Sequence, residues 1–159
     1  MIDSIFALTF VSALGCGLIA GLLFTFSNFV MKALANLPPA QGIAAMQSIN
    51  VVIINPLFMV AFFGTALACV ALVVSSLLRW SEPSAVYLLV GSLLYLVGTI
   101  AVTVVINVPL NDALAAVGAD TADGAKLWHR YVDDWTTWNH VRTVAALAAA
   151  ASLTFGLSK

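Results

Sequence analysis

The charged residues divide this chain into four long uncharged stretches. These are Ser4–Met31, Ala33–Leu78, Pro83–Asn111 and Thr143–Ser158. The first three exceed the roughly 20 apolar residues that cross the hydrocarbon core of a bilayer as a helix. The pattern predicts an all-α protein, a four-transmembrane-helix bundle in one domain over residues 1–159, with short interfacial helices on one side. The predicted spans are Ile5–Leu34, Leu57–Leu78, Val86–Val108 and a last helix that ends near Leu157.

The last span reaches back into a polar stretch. Only sixteen uncharged residues separate Arg142 from Lys159, which is too few to cross about 30 Å of hydrocarbon at about 1.5 Å per residue. Counting back about 20 residues from Leu157 reaches Trp138. We therefore expect Arg142 within the first turn or so of the span.

Prolines predict where the helices are interrupted. A helix over Ile43–Ile54 should kink or end at Pro56, because proline removes a backbone donor and disfavours helix at the residue before it. Pro109 predicts a second interruption, followed by a short helix over Leu110–Val117. The stretch GADTAD (118–123) is expected to form an exposed loop, and the chain from Gly124 onward is expected to be helical.

Small residues follow one side of the first span. Ala13, Gly17 and Gly21 are spaced by four, and small residues at this spacing let a neighbouring helix approach closely. Cys16 and Cys69 lie inside apolar spans, so we expect buried small side chains rather than a disulfide or metal pair.

Composition supports the membrane assignment. The chain is 62% hydrophobic and 8% charged, with a mean hydropathy of +1.07, whereas soluble domains carry roughly 25% charged residues. The segment Ile5–Val30 has no basic stretch before it and is too long for a signal-peptide core, so it is expected to be retained. The predicted location is the cell membrane, as a multi-pass protein whose partner is the lipid bilayer. The net charge of −1 gives no indication of nucleic acid as a partner, and a homo-oligomer is left open.

Polar residues concentrate at one end of the predicted bundle. Thr99, Thr103, Asn107 and Asn111 are spaced by four, a step that drifts about 40° around a helix, so they form one gently winding stripe. In a helix over residues 128–142, one stripe about 100° wide holds Trp128, Tyr131, Trp135, Trp138, Asn139 and Arg142. Such a stripe is either an interfacial aromatic belt or the wall of a cavity, and the asparagine and arginine favour the cavity.

Arg142 is the most informative single residue. A cation at the centre of a membrane helix costs about 2.5–3.5 kcal/mol, so Arg142 either extends to the interface or faces inward and needs polar partners. The candidate partners near that end are Asp112, Asn111, Asn107, Asn55 and Asn50. Each asparagine could instead cap a helix end near Pro56 or Pro109, but their convergence at one end favours a common site.

The sequence does not predict a metal site. His129 and Asp133 are spaced by four and could chelate an ion, but His140 lies about 10 Å further along the helix axis. No HExxH motif, paired-carboxylate motif or cysteine cluster occurs.

Several motifs together resemble one known family. FSNFVMKAL, AAMQSIN followed by INPLF, NVPLND and WNHVRT occur in this order over nearly the whole chain. They are similar to a family of small four-helix membrane proteins, long catalogued as a domain of unknown function, that includes the anthrone oxygenases of aromatic polyketide pathways. The resemblance implies a membrane-embedded site at the family's motif positions. These positions are Asn50, Asn55, Asn107, Asn111, Trp138, Asn139, His140 and Arg142.

The resemblance implies oxidation of an anthrone to an anthraquinone by dioxygen, with no recognisable cofactor. An anthrone carries an acidic methylene activated by its carbonyl, and loss of that proton gives an enolate that reacts with dioxygen. His140 is the candidate base, and Arg142, Asn139 and Asn107 are candidate donors to the enolate oxygen.

Trp135 and Trp138 could stack on a flat polycyclic substrate, with Asn111, Asn50 and Asn55 as further substrate-binding candidates. His140 and Arg142 point about 160° apart on an ideal helix. Either the helix is distorted or only one of them faces the cavity. The alternative function is a membrane protein that binds, transports or assists with a lipophilic small molecule without catalysis.

Overall fold

Residues 4–159 form five helices in this computed structural model, and these described residues contain no strand. The helices are α1 Ser4–Ala35, α2 Pro39–Val52, α3 Pro56–Leu78, α4 Ala85–Ala115 and α5 Ala122–Gly156. Three of them, α1, α3 and α4, are long and apolar enough to cross a membrane. The prediction of an all-α membrane-type fold is confirmed, and a fourth transmembrane helix stays a prediction.

Local sequence signals explain several helix ends. Asn55 caps α3, because its Oδ1 accepts a hydrogen bond from the backbone N–H of Phe58 at 3.1 Å, and Pro56 is the first helical residue. The predicted break at Pro56 is confirmed. Thr121 caps α5 in the same way, through the N–H of Gly124 at 3.0 Å.

The predicted interruption at Pro109 is wrong, because α4 continues through this residue to Ala115. Two π-helical segments, Leu96–Ala101 and Thr103–Asn107, lie just before it. In a π segment each backbone N–H bonds to the carbonyl five residues earlier instead of four. Because these segments already depart from the α-helical pattern, the missing N–H of Pro109 does not end the helix. A third π segment, Phe26–Val30, lies in α1.

Four helices pack around a common core. α1 contacts α3 and α5, and α4 also contacts α3 and α5, while α2 packs across the polar end against α5. One apolar cluster fills the half near the termini, with Cys16, Leu72, Tyr95 and Leu153 fully buried.

A second cluster lies at the polar end. It joins residues of α1 and α2 to Leu114, Trp128, Tyr131 and Trp135.

Close helix approach occurs at other glycines than the predicted ones. A Cβ added at Gly17 or Gly21 would meet nothing within 4 Å, so these positions do not mediate helix contact. The side chain of Thr65 in α3 contacts Gly15 instead, and Ala145 in α5 contacts Gly98 of α4. The prediction failed because spacing shows which residues share a side of the helix, but not which side meets a neighbour.

Candidate functional site

A cavity of about 250 Å³ lies at the polar end of the bundle. Most of its wall is apolar and comes from α1, α2 and α3. The polar lining residues are Asn50, Thr103, Asn111, Trp135 and Arg142. Among the described residues that line this cavity, Arg142 carries the one charged side chain, and no carboxylate or imidazole is present.

Arg142 is buried in this wall, with 5% of its surface exposed. Its Nη1 donates to the hydroxyl of Thr103 at 3.2 Å, and its Nη2 donates to Oδ1 of Asn139 at 2.7 Å. The guanidinium carbon lies 5.0 Å from the ring centroid of Trp135, a favourable cation–π distance. The Nε–H is buried and has no hydrogen-bond partner.

Asn139 binds the guanidinium of Arg142 from outside the cavity. It is fully buried, and its amide nitrogen donates to the carbonyl of Leu23 at 2.8 Å and to the hydroxyl of Ser27 at 2.7 Å. These two acceptors on α1 fix the orientation of the amide, which leaves Oδ1 for Arg142. Asn139 therefore orients the guanidinium and does not itself line the cavity.

The polar stripe of α4 faces α5 along its whole length. Thr99 donates to the carbonyl of Arg142 at 3.3 Å, Thr103 accepts from its guanidinium, and Asn107 donates to the carbonyl of Trp135 at 3.3 Å. Asn111, the fourth residue of the stripe, accepts from Tyr131 and Trp135 of α5. The wider π turns reduce the drift that a spacing of four would have in an α-helix, so all four residues meet the same partner.

Asn111 organises the aromatic wall. Its Oδ1 accepts from the hydroxyl of Tyr131 at 2.8 Å and from the indole N–H of Trp135 at 2.9 Å. Burial raises the pKa of the Tyr131 phenol above its ordinary value, so the phenol stays protonated and acts as a donor. Trp135 also packs on Phe26 at 5.7 Å between ring centroids.

The other predicted site residues lie away from the cavity. Asn107 is buried behind Trp135, and its Oδ1 has no partner. Asn55 is occupied as the cap of α3, where its Nδ2 also donates to the carbonyls of Val52 and Ile53. Trp138 is 38% exposed and does not line the cavity.

His140 is exposed and also does not line the cavity. α5 continues as a regular helix through residues 138–142, so His140 and Arg142 keep the wide angular separation of an ideal helix. The structure therefore brings together Arg142, Trp135, Asn111 and Asn50, with Asn139 behind them. It does not place His140, Trp138 or Asn55 with this group.

Sequence reasoning missed several cavity residues. Thr103 was recognised as part of a polar stripe but not as a cavity residue, although its place in the series of four was a usable signal. Phe26, Met46, Phe58 and Phe62 line the apolar wall, and nothing distinguishes them in sequence from other apolar residues. Among the described residues, no three His, Cys, Asp or Glu side chains are grouped within reach of one metal ion.

One sequence family matches the chain. The profile described as anthrone oxygenase matches residues 58–152, which include α4, most of α3 and all of the α5 residues in the site. No curated protein and no solved structure matches the chain. Because the match covers more than half of the residues, the chain belongs to the anthrone oxygenase family.

Proposed function

We propose that this chain is a multi-pass protein of the cell membrane with four transmembrane helices, the fourth being the part of α5 from Trp138 to Gly156. Beyond His140, the large exposed side chains of this part are apolar, with Val144 66%, Leu147 61% and Phe155 61% exposed. Large apolar side chains are stable in the hydrocarbon core of a bilayer. A fourth span also returns the chain to the side of the membrane on which α1 begins.

The cavity is proposed to bind a flat lipophilic aromatic molecule that carries a carbonyl oxygen. The observation that carries this proposal is the buried guanidinium of Arg142, which lines a cavity without a carboxylate. A buried cation without a counter-charge is costly, so a ligand oxygen that accepts from an Nη–H of Arg142 is stabilised. Trp135 and the phenylalanine side chains supply surfaces for an aromatic ring.

The proposed reaction is the one associated with the family, oxidation of an anthrone to an anthraquinone by dioxygen. The methylene loses a proton, and the resulting enolate transfers electrons to dioxygen. A hydroperoxide forms at that carbon and then loses water to leave the second carbonyl. One anthrone and one dioxygen therefore give one anthraquinone and one water.

Arg142 would favour the first step by binding the enolate oxygen. A fixed donor aimed at developing negative charge in a dry site lowers the barrier more than the same donor in water. Asn139 and Thr103 keep the guanidinium in place, so little reorganisation is needed during the reaction. His140 has no part in this proposal, because it does not line the cavity, and the proton is assigned to water or hydroxide.

A second candidate is binding or transport of the same class of molecule without turnover. The observation that favours it is the lack of a carboxylate or imidazole among the described lining residues, since no side chain is available there as a general base. The two candidates share the ligand and differ in chemistry.

The test is an anthrone oxidation assay on the full chain in lipid nanodiscs, with the protein-free rate subtracted. We expect anthraquinone formation above that rate, and a loss of about 10²–10³-fold in Arg142→Gln, the range observed when one oxyanion donor is removed. Arg130→Gln is the matched control, because Arg130 lies on the same helix and is exposed. Its rate should equal that of the wild type.

The alternative gives a different result. Thermal stabilisation by anthraquinone that is lost in Arg142→Gln, without any turnover, would support binding alone. A wild-type protein with neither turnover nor ligand-dependent stabilisation would contradict both candidates.

A further inference from the structure

The cavity opens to the outside through an apolar rim. Ile54, Phe63 and Val108 line the cavity and are 68%, 44% and 41% exposed, respectively. Side chains that both line a cavity and reach the outer surface mark its mouth. All three are aliphatic or aromatic.

The position of Phe63 places this mouth between α3 and α4. Thr65 marks the side of α3 that faces α1, and the carbonyl of Phe62 accepts from Tyr95 of α4 at 3.1 Å. At about 100° per residue, Phe63 lies beyond Phe62, on the side away from α1. Val108 lies on α4 and lines the same cavity as Phe63.

The surface around the mouth is also apolar. On α4, about one turn before Val108, Val104 and Val105 are 55% and 70% exposed. Both α3 and α4 are among the helices long and apolar enough to cross a membrane. Such a surface faces hydrocarbon rather than water.

The polar end of the bundle offers a ligand a less direct route into the cavity. The side chain of Gln47 on α2 donates to the carbonyls of Leu114 at 2.8 Å and Val117 at 3.2 Å. These bonds tie α2 to the end of α4 across that end of the bundle. A lipophilic molecule is also concentrated in the bilayer rather than in the water outside it.

We propose that the ligand enters the cavity sideways from the hydrocarbon of the bilayer, through the opening between α3 and α4. Val108 and Phe63 limit the width of the molecule that passes, so a flat polycycle is admitted edge first. The inference rests on the proposed function for the class of ligand, but the opening itself is a property of the fold.

The first experiment measures passage through the opening with anthraquinone as the probe. Its association and dissociation rates are followed by quenching of tryptophan fluorescence in lipid nanodiscs. A larger side chain at an entrance slows both directions equally, so Val108→Phe should lower both rates about fivefold and leave the dissociation constant within about twofold. Val105→Phe is the control, because Val105 is exposed on α4 but does not line the cavity.

Two outcomes would overturn the entrance. Unchanged rates in Val108→Phe would mean that molecules pass elsewhere. A weaker affinity with an unchanged association rate would make Val108 part of the binding surface rather than of the entrance. If Val108→Phe does not fold, Ile54→Phe tests the same rim.

The second experiment does not depend on the ligand class. Thr103→Cys, in a Cys16→Ala and Cys69→Ala background, places one thiol in the cavity wall. A hydrophobic maleimide dissolved in the bilayer should label it more slowly when Val108→Phe is added, and at an unchanged rate with Val105→Phe.

The two experiments separate the two proposals. Labelling that depends on Val108, without anthraquinone binding, would retain the entrance and reject the ligand class of the proposed function. Equal labelling in both variants, or none at all, would reject the entrance.

Discussion

The contact between α4 and α5 is built differently in its two halves. In the half near the termini, α4 and α5 meet through small residues, with Ala145 against Gly98 and Leu153 against Gly91. At the polar end the same pair is joined through Thr103, Asn111, Trp135 and Arg142. Long polar side chains that bond across a gap hold helices further apart than glycine and alanine do. The difference shows how one pair of helices can pack closely along part of its length and line a polar cavity along the rest.

The largest stability effect is expected where α4 and α5 pack closely. Leu153 is fully buried, so Leu153→Ala should leave a cavity and lower the free energy of unfolding by about 2–5 kcal/mol. Unfolding in detergent micelles measures this change. Turnover per folded molecule should stay at the wild-type value, and a selective loss of turnover would break the separation of the two halves.

Glycine positions give a second test of the same half. Gly98→Val places a side chain where Ala145 already lies, and such overpacking should cost about 1–3 kcal/mol. Gly21→Val is the matched control, since a Cβ there meets nothing within 4 Å. Equal stability of the two variants would show that α4 and α5 are not in close contact.

At the polar end, Asn139→Asp should lower both turnover and stability. The new carboxylate would lie where Oδ1 now accepts from Arg142 at 2.7 Å, and would neutralise the guanidinium that a substrate enolate needs. Turnover per folded molecule should fall at least about tenfold, equivalent to about 1.4 kcal/mol in the barrier. Because the carboxylate cannot donate to Leu23 and Ser27, the free energy of unfolding should also fall, by about 1–3 kcal/mol. Asn36→Asp, at an exposed position, controls for the added charge, and a wild-type rate in Asn139→Asp would argue against enolate binding by Arg142.

The smallest effect is expected at His140. His140→Ala should leave the rate of anthrone oxidation within about twofold of the wild type, because this side chain is exposed and lies off the cavity. The same nanodisc assay measures it. A large loss would restore His140 as the base and would require the helix around Trp138 to rearrange during the reaction.

The depth of Arg142 in the last span could be predicted from the sequence, whereas its direction stayed open between the interface and the interior of the bundle. The uncharged run after this residue is too short to span hydrocarbon alone, so the arginine had to lie within the span, and the structure buries it. The stripe from Thr99 to Asn111 was also predictable from its spacing. The continuity of α4 through Pro109 could not be predicted, because π segments leave no simple pattern in the sequence.

Some cavity residues could also be recognised from the sequence, whereas others could not. Trp135, Asn111 and Arg142 stand out in an apolar chain because polar and large aromatic residues are few. Asn55 and Asn50 look alike in sequence, yet one caps a helix while the other lines the cavity. Either role satisfies an amide group, so the choice depends on where the next helix lies.

The sequence alone determined that this protein is helical and apolar on its outside, because the lengths of uncharged runs and the scarcity of charge follow directly from the order of residues. It also determined that one end holds most of the charged residues and both histidines. Only the tertiary structure decided which side of each helix faces inward, and so brought Arg142, Trp135 and Asn111 around one cavity and left His140 outside it. The physical reason is that the helical period determines which residues share a side of one helix. Contact between two helices depends instead on the shapes of both of their surfaces.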